Sequence, residues 1–167
     1  MKKIIFTFAM MLILGAVFMA GCATTPQMTS MQKRQLTTRN VESSYENAFK
    51  ATMTVLQDND YIVKDTDMAS GLIVAEVNRE SSGISQFFQA MGSSHGEIAN
   101  KGTVIECSAT VGKLNDKNSE VRLLIQEKVY SNTGGTTSVK QIMDEKVYSA
   151  LLNGIIVEAK RREALGR

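Results

Sequence analysis

The chain has 167 residues, with 19 lysines and arginines against 17 aspartates and glutamates, and it contains two cysteines, one histidine, one proline and no tryptophan. Lys2 and Lys3 account for the whole positive excess, so the rest is balanced and offers no extended basic field to hold nucleic acid. Two cysteines are too few for a disulfide framework, and the length suits one domain with one core.

The chain opens with Lys2 and Lys3, a nearly pure apolar run from Ile4 to Phe18, and the small residues Ala20 and Gly21. This is the pattern of an export signal with its cleavage region. A permanent membrane span is the alternative, because Ile4 to Ala20 approaches the lower length that crosses a hydrocarbon core. The polar CATTPQMTS that follows at once favours cleavage. The residues Met19-Ala20-Gly21-Cys22 resemble the lipobox of bacterial lipoproteins, with Met19 where leucine is usual. That resemblance implies a diacylglyceryl group on the Cys22 sulfur, cleavage just before it and acylation of the new amino terminus, making membrane lipid the partner of Cys22. Each buried CH₂ of such chains contributes about 0.8 kcal/mol, so two or three chains hold firmly. The rival reading is a secreted protein with a bridge from Cys22 to Cys107. Ala23, rather than an aspartate, resembles the sorting signal for the inner leaflet of the outer membrane, with the domain facing the periplasm.

Residues 1–21 therefore read as a lipoprotein signal peptide, 22–33 as a lipidated flexible tether and 34–167 as a single domain. The tether is polar, contains Pro26, lacks a helical or strand period, and from Ala23 to Lys33 reaches at most about 40 Å. RQLTTR, with β-branched Thr37 and Thr38, predicts a short first strand. A helix follows, with a capping box from Ser43 to Glu46, an apolar face of Tyr45, Ala48, Phe49, Thr52, Val55 and Leu56, and a stop at Asn59. Tyr61 to Lys64 and Leu72 to Asn78 are β-rich, and DTDMASG between them predicts a hairpin in which Asp65 and Asp67 act as turn formers.

Arg79 to Gly102 is the least regular stretch. Ile84, Phe87, Phe88 and Met91 have the spacing of a short helix within serine- and glycine-rich surroundings that hold Ser81, Ser82, Ser93 and Ser94. Two readings stand side by side: a crossover whose apolar side packs on the sheet, and a mobile loop presenting Phe87, Phe88 and Met91 to a partner. His95, with Glu97 nearby, is too little for a metal site, which wants three or four convergent ligands.

Two further strands, from Thr103 and from Ser119, flank GKLNDKN. The first places Ile105, Cys107, Ala109 and Val111 on one face, so Cys107 reads as a small core hydrophobe. The second places Val121, Leu123, Ile125 and Val129 on one face, the pattern of an antiparallel strand covered on one side. After SNTGGTTS, a second capping box, Ser138 with Gln141, predicts a final helix carrying Met143, Val147, Ala150, Leu151, Gly154 and Ile155, its stripe ending at Glu158. Gly154 reads as a point of close approach to the sheet.

These elements predict an α+β fold: an antiparallel sheet of four or five strands with two amphipathic helices packed on one face. LTTR from Leu36, VLQDNDYIVKDTD from Val55, SGLIVAEV from Ser70 and IMDEKVYSALLNGI from Ile142 together resemble a group of uncharacterised bacterial envelope lipoproteins with one small domain. That resemblance covers most of Arg34 to Glu158 and implies no chemistry for particular residues. No GxSxG, HExxH, P-loop or dinucleotide fingerprint occurs. The expectation is a non-enzymatic, membrane-anchored binding or assembly module with an envelope protein partner, and with no cofactor and no metal. A carrier of a small hydrophobic or lipid ligand is the alternative, and a hydrolase stands behind both.

Overall fold

Alternation along three consecutive strands sets the architecture. In the computed structural model, which describes residues 28–78, 102–131 and 135–166, the elements run α1 (Ser30–Thr37), β1 (Thr38–Val41), α2 (Tyr45–Asp58), β2 (Ile62–Asp67), β3 (Leu72–Asn78), β4 (Thr103–Asn115), β5 (Asn118–Tyr130), β6 (Thr136–Gln141) and α3 (Glu145–Ala164). The strands form one antiparallel sheet in the order β1-β5-β4-β3-β2, with β6 also paired to β5. Every second side chain of the middle strands is buried: Ile73, Ala75 and Val77, then Ile105, Cys107, Ala109 and Val111, then Val121, Leu123 and Ile125. These meet the apolar faces of α2 and α3 in one core, as the α+β reading requires.

The sheet has six strands and three helices pack against it, where the sequence reading has four or five strands and two helices. The third helix, α1, takes up the last four residues assigned to the tether and the first four of the expected strand. Thr29 caps it through a reciprocal box with Gln32, and Leu36 and Thr37 anchor its last turn. The first strand accordingly starts at Thr38, at the end of the stretch expected to form it. The sixth strand replaces the expected start of the final helix. Ser138 and Gln141 lie in β6, opposite Val129 and Gln126, and the helix instead begins after Asp144, whose carboxylate accepts from the backbone N–H groups of Lys146 and Val147. β5 is long enough for both β1 and β6 to share one of its edges, which a local pattern cannot reveal.

Helix α2 is capped by Ser44 rather than by the expected Ser43–Glu46 box. The Glu46 carboxylate pairs with Lys50, and Ser43 turns to Glu163. Its other end matches the reading: Asn59 is the C-cap, and Asp60 adopts a left-handed φ of 63°. The Tyr61 N–H then reaches Leu56 O at 3.0 Å and the Asp60 N–H reaches Gln57 O at 3.0 Å, a Schellman closure. The buried stripe of α3 is Val147, Tyr148, Leu151, Leu152, Ile155 and Ala159, while Ala150 is exposed and Met143 precedes the helix. The close approach at Gly154 is to α2 rather than to the sheet, for a Cβ there would lie 3.2 Å from Val55 Cγ1. Asp67 forms the expected turn, accepting from the Ala69 N–H, but Asp65 lies within β2.

Tyr148 closes the gap between β1 and β6 on the shared edge of β5. Ile142 N–H donates to Ile125 O at 2.9 Å, and the Ile125 N–H donates to the buried Tyr148 hydroxyl at 3.1 Å. Tyr148→Phe leaves that amide without its partner, so it is expected to destabilise the domain by about 1–3 kcal/mol. Urea unfolding checks this, as a lower midpoint at unchanged slope. A midpoint equal to that of the parent protein would contradict the role.

A second polar junction ties the amino end of α2 to the carboxy end of α3. The Glu163 carboxylate accepts from Asn47 Nδ2 at 2.8 Å and Ser43 Oγ at 3.0 Å, while buried Ser119 donates to Ser43 O at 3.1 Å. The hydrogen bonds from Asn47 and then Ser43 hold Glu163 below the usual carboxylate range. The unfolded chain takes up this proton at a higher pH, so the stabilisation is fully present above the ordinary range and is lost as pH falls through the lowered value. Unfolding free energy is therefore expected to drop as pH goes below about 4.3, and to drop less steeply in Glu163→Gln. Coincident pH slopes for the two proteins would contradict this assignment.

Candidate functional site

The residues that frame the long central connection are Asn78 at the end of β3 and Gly102 and Thr103 at the start of β4. Asn78 lies opposite Val104, so the 79–101 connection begins and ends on neighbouring antiparallel strands. Antiparallel neighbours need no return across the sheet, and the readings of Ile84, Phe87, Phe88 and Met91 as a packed crossover or as a contact loop both fall outside the described residues. Gly102 adopts a φ of 118°, conformational space that glycine enters readily, and its carbonyl accepts the Tyr130 N–H at 3.0 Å. Thr103 is buried opposite Val129, which is half-buried. The start of β4 is thus fixed by the β5 ladder.

The outward face of the sheet carries a row of charged side chains, positive at both ends and negative in the middle: Lys64, Glu76, Glu106 and Lys128. Glu76 and Glu106 are direct cross-strand neighbours. Lys64 Nζ lies 3.5 Å from Glu76, and Lys128 Nζ lies 2.5 Å from Glu106. Lys64 is the extra residue at a register shift in edge strand β2, a bulge that also blunts this edge against further pairing. The hydrogen bond with Glu106 raises the Lys128 pKa. Each carboxylate has its own lysine, an arrangement suited to holding charge in place. The outward charges at Glu76, Glu106 and Lys128 are legible in the alternation, but their cross-strand register is not.

Cys107 sits on the inward face as a free thiol with no exposed surface. Burial, and then the Glu106 charge, push it up to about 12, so it remains protonated and serves as a small apolar side chain. Cys22, Phe87, Phe88, Met91 and His95 lie outside the described residues, as do Ser81, Ser82, Ser93, Ser94 and Glu97. Among the described residues no cluster of three or more histidine, cysteine or acidic side chains could hold a metal, and no helix is long and apolar enough to cross a membrane. No family model matches the chain, and no curated protein matches it significantly.

Proposed function

We propose that this is a lipid-anchored protein of the bacterial envelope whose domain acts as a non-catalytic binding or assembly module. In this reading acylated Cys22 holds it in the inner leaflet of the outer membrane, and the 79–101 connection presents Phe87, Phe88 and Met91 to an envelope protein. The observation that carries the reading is the pairing of Asn78 with Val104. Since β3 and β4 are joined directly in the ladder, the core formed by the described residues closes with both ends of the connection at one margin of the sheet. A long connection placed there is a natural site for contact. Leu56, Ile105, Ile125, Leu152 and Ile155 are fully buried between sheet and helices. A filled interlayer favours an outer contact over a ligand carried inside.

Replacing Phe87 and Phe88 together by serine tests the contact. The expected product unfolds cooperatively at the parent temperature but loses the partner that crosslinks to the parent protein in whole envelopes, because aromatic side chains carry much of an interface's binding energy. Loss of folding would return both rings to the core. A folded variant that keeps every partner would also reject the surface.

A further inference from the structure

Helix α1 changes the geometry of membrane attachment. A tether running to Lys33 would let the domain move about 40 Å from its anchor. The helix begins at Ser30, and the described chain begins at Met28, six residues beyond Cys22. Those six steps span at most about 20 Å, whereas a domain of this size is about 35 Å across. If Cys22 is acylated as proposed above, α1 is held within a short distance of the phospholipid headgroups.

The exposed surface of α1 has the chemistry to meet them. Residues 28–35 are all exposed, and only Leu36 and Thr37 are buried. At about 3.6 residues per turn, Met31 and Arg34 lie on the side away from that buried pair, with Gln35 beside them. Met31 is 72% exposed and Met28 is 41% exposed, although both are apolar. Lys33 and Arg34 are cationic, the helix contains no acid, and Arg34 keeps a 69% exposed side chain despite its 3.4 Å contact with Glu120. Flexible apolar side chains flanked by cations are the composition of a segment that lies in a membrane interface. An eight-residue helix has little stability of its own in water. A surface that covers its outward side would therefore reinforce it.

We propose that the outward face of α1, formed by Met31, Arg34 and Gln35 with Met28 before them, rests on the phospholipid surface that holds the acyl chains. The two methionines enter the headgroup boundary and Arg34 meets a lipid phosphate, so the domain stands on the membrane in a fixed orientation. The inference depends on acylation at Cys22.

The test uses full-length acylated protein in vesicles of phosphatidylethanolamine and phosphatidylglycerol. Met31→Cys is labelled with a fluorophore, and Met68→Cys, in the turn between β2 and β3, is labelled in a parallel sample. Met68 is also exposed and lies four strand positions from β1 across the sheet. Native Cys107 does not compete for the label because it is buried. Iodide quenching is expected to be several-fold weaker at position 31 than at position 68, and lipid with a nitroxide headgroup should quench only position 31. Equal access of iodide to both positions, with Cys22 acylated by mass spectrometry of the same sample, would overturn the α1 contact alone. An unmodified Cys22 would overturn the anchor and the α1 contact together.

Discussion

Gly71→Ala is expected to lower the unfolding free energy by between about 2 and 6 kcal/mol, from a strained left-handed backbone and from overpacking. Gly71 ends the connection between β2 and β3 with a φ of 75°, and a Cβ there would lie 2.1 Å from the Val111 carbonyl oxygen. The obstacle is backbone, and it is held in place: the Val111 N–H donates to Gly71 O at 2.9 Å, extending the β3–β4 ladder by one residue. The Tyr45 hydroxyl, which donates to the carbonyl of Met68, would be only 3.0 Å from the added carbon. Relief requires the first hairpin to shift against the second. A loss at the upper end would consume most of the stability of an ordinary domain. Thermal or urea unfolding measures it, and an alanine variant as stable as the parent would show that the connection relaxes freely.

The largest functional effect is expected at Cys22. In cells supplied with labelled palmitate, Cys22→Ala should lose incorporation completely, because the thioether sulfur and the acylated amino terminus belong to the same residue. Cys107→Ala should incorporate label like the parent protein, since its thiol is buried in the core. Two or three acyl chains at about 0.8 kcal/mol per buried CH₂ would account for the proposed anchoring. Palmitate retained in Cys22→Ala would place the lipid elsewhere or remove it from the account.

What was legible in the sequence follows from the range of the forces involved. The β2–β3 and β4–β5 hairpins were readable because alternation and short polar turns are local, and burial of Ile105, Cys107, Ala109 and Val111 follows that alternation directly. The end of α2 was readable at Asn59 for the same reason. β6 was not, because TTSVKQ contains a Ser-x-x-Gln box alongside the β-branched Thr136, Thr137 and Val139. The tertiary structure decides between them: β1 covers only Ser119 to Arg122 of the β5 edge, and Gln126 to Tyr130 farther along it pair with β6. Helix α1 is not evident from periodicity although Thr29 and Gln32 spell out its capping box, since Leu36 is its one buried apolar side chain. Tyr148 does not stand out in the sequence because Val147, Ala150, Leu151 and Gly154 also fit a helical stripe, although Ala150 is exposed and Tyr148 is buried. The proposed lipid attachment at Cys22 rests on a processing signal in the sequence, outside the described residues.

The central claim is that the 79–101 connection meets another envelope protein, and its most direct test is a photocrosslinking amino acid placed at position 87 of the acylated protein in intact envelopes. The account predicts one discrete intermolecular adduct that is absent when the same probe replaces Met68, with mass spectrometry identifying the attached protein. Crosslinks confined to the chain's own core, such as Val77 or Ile105, would contradict it.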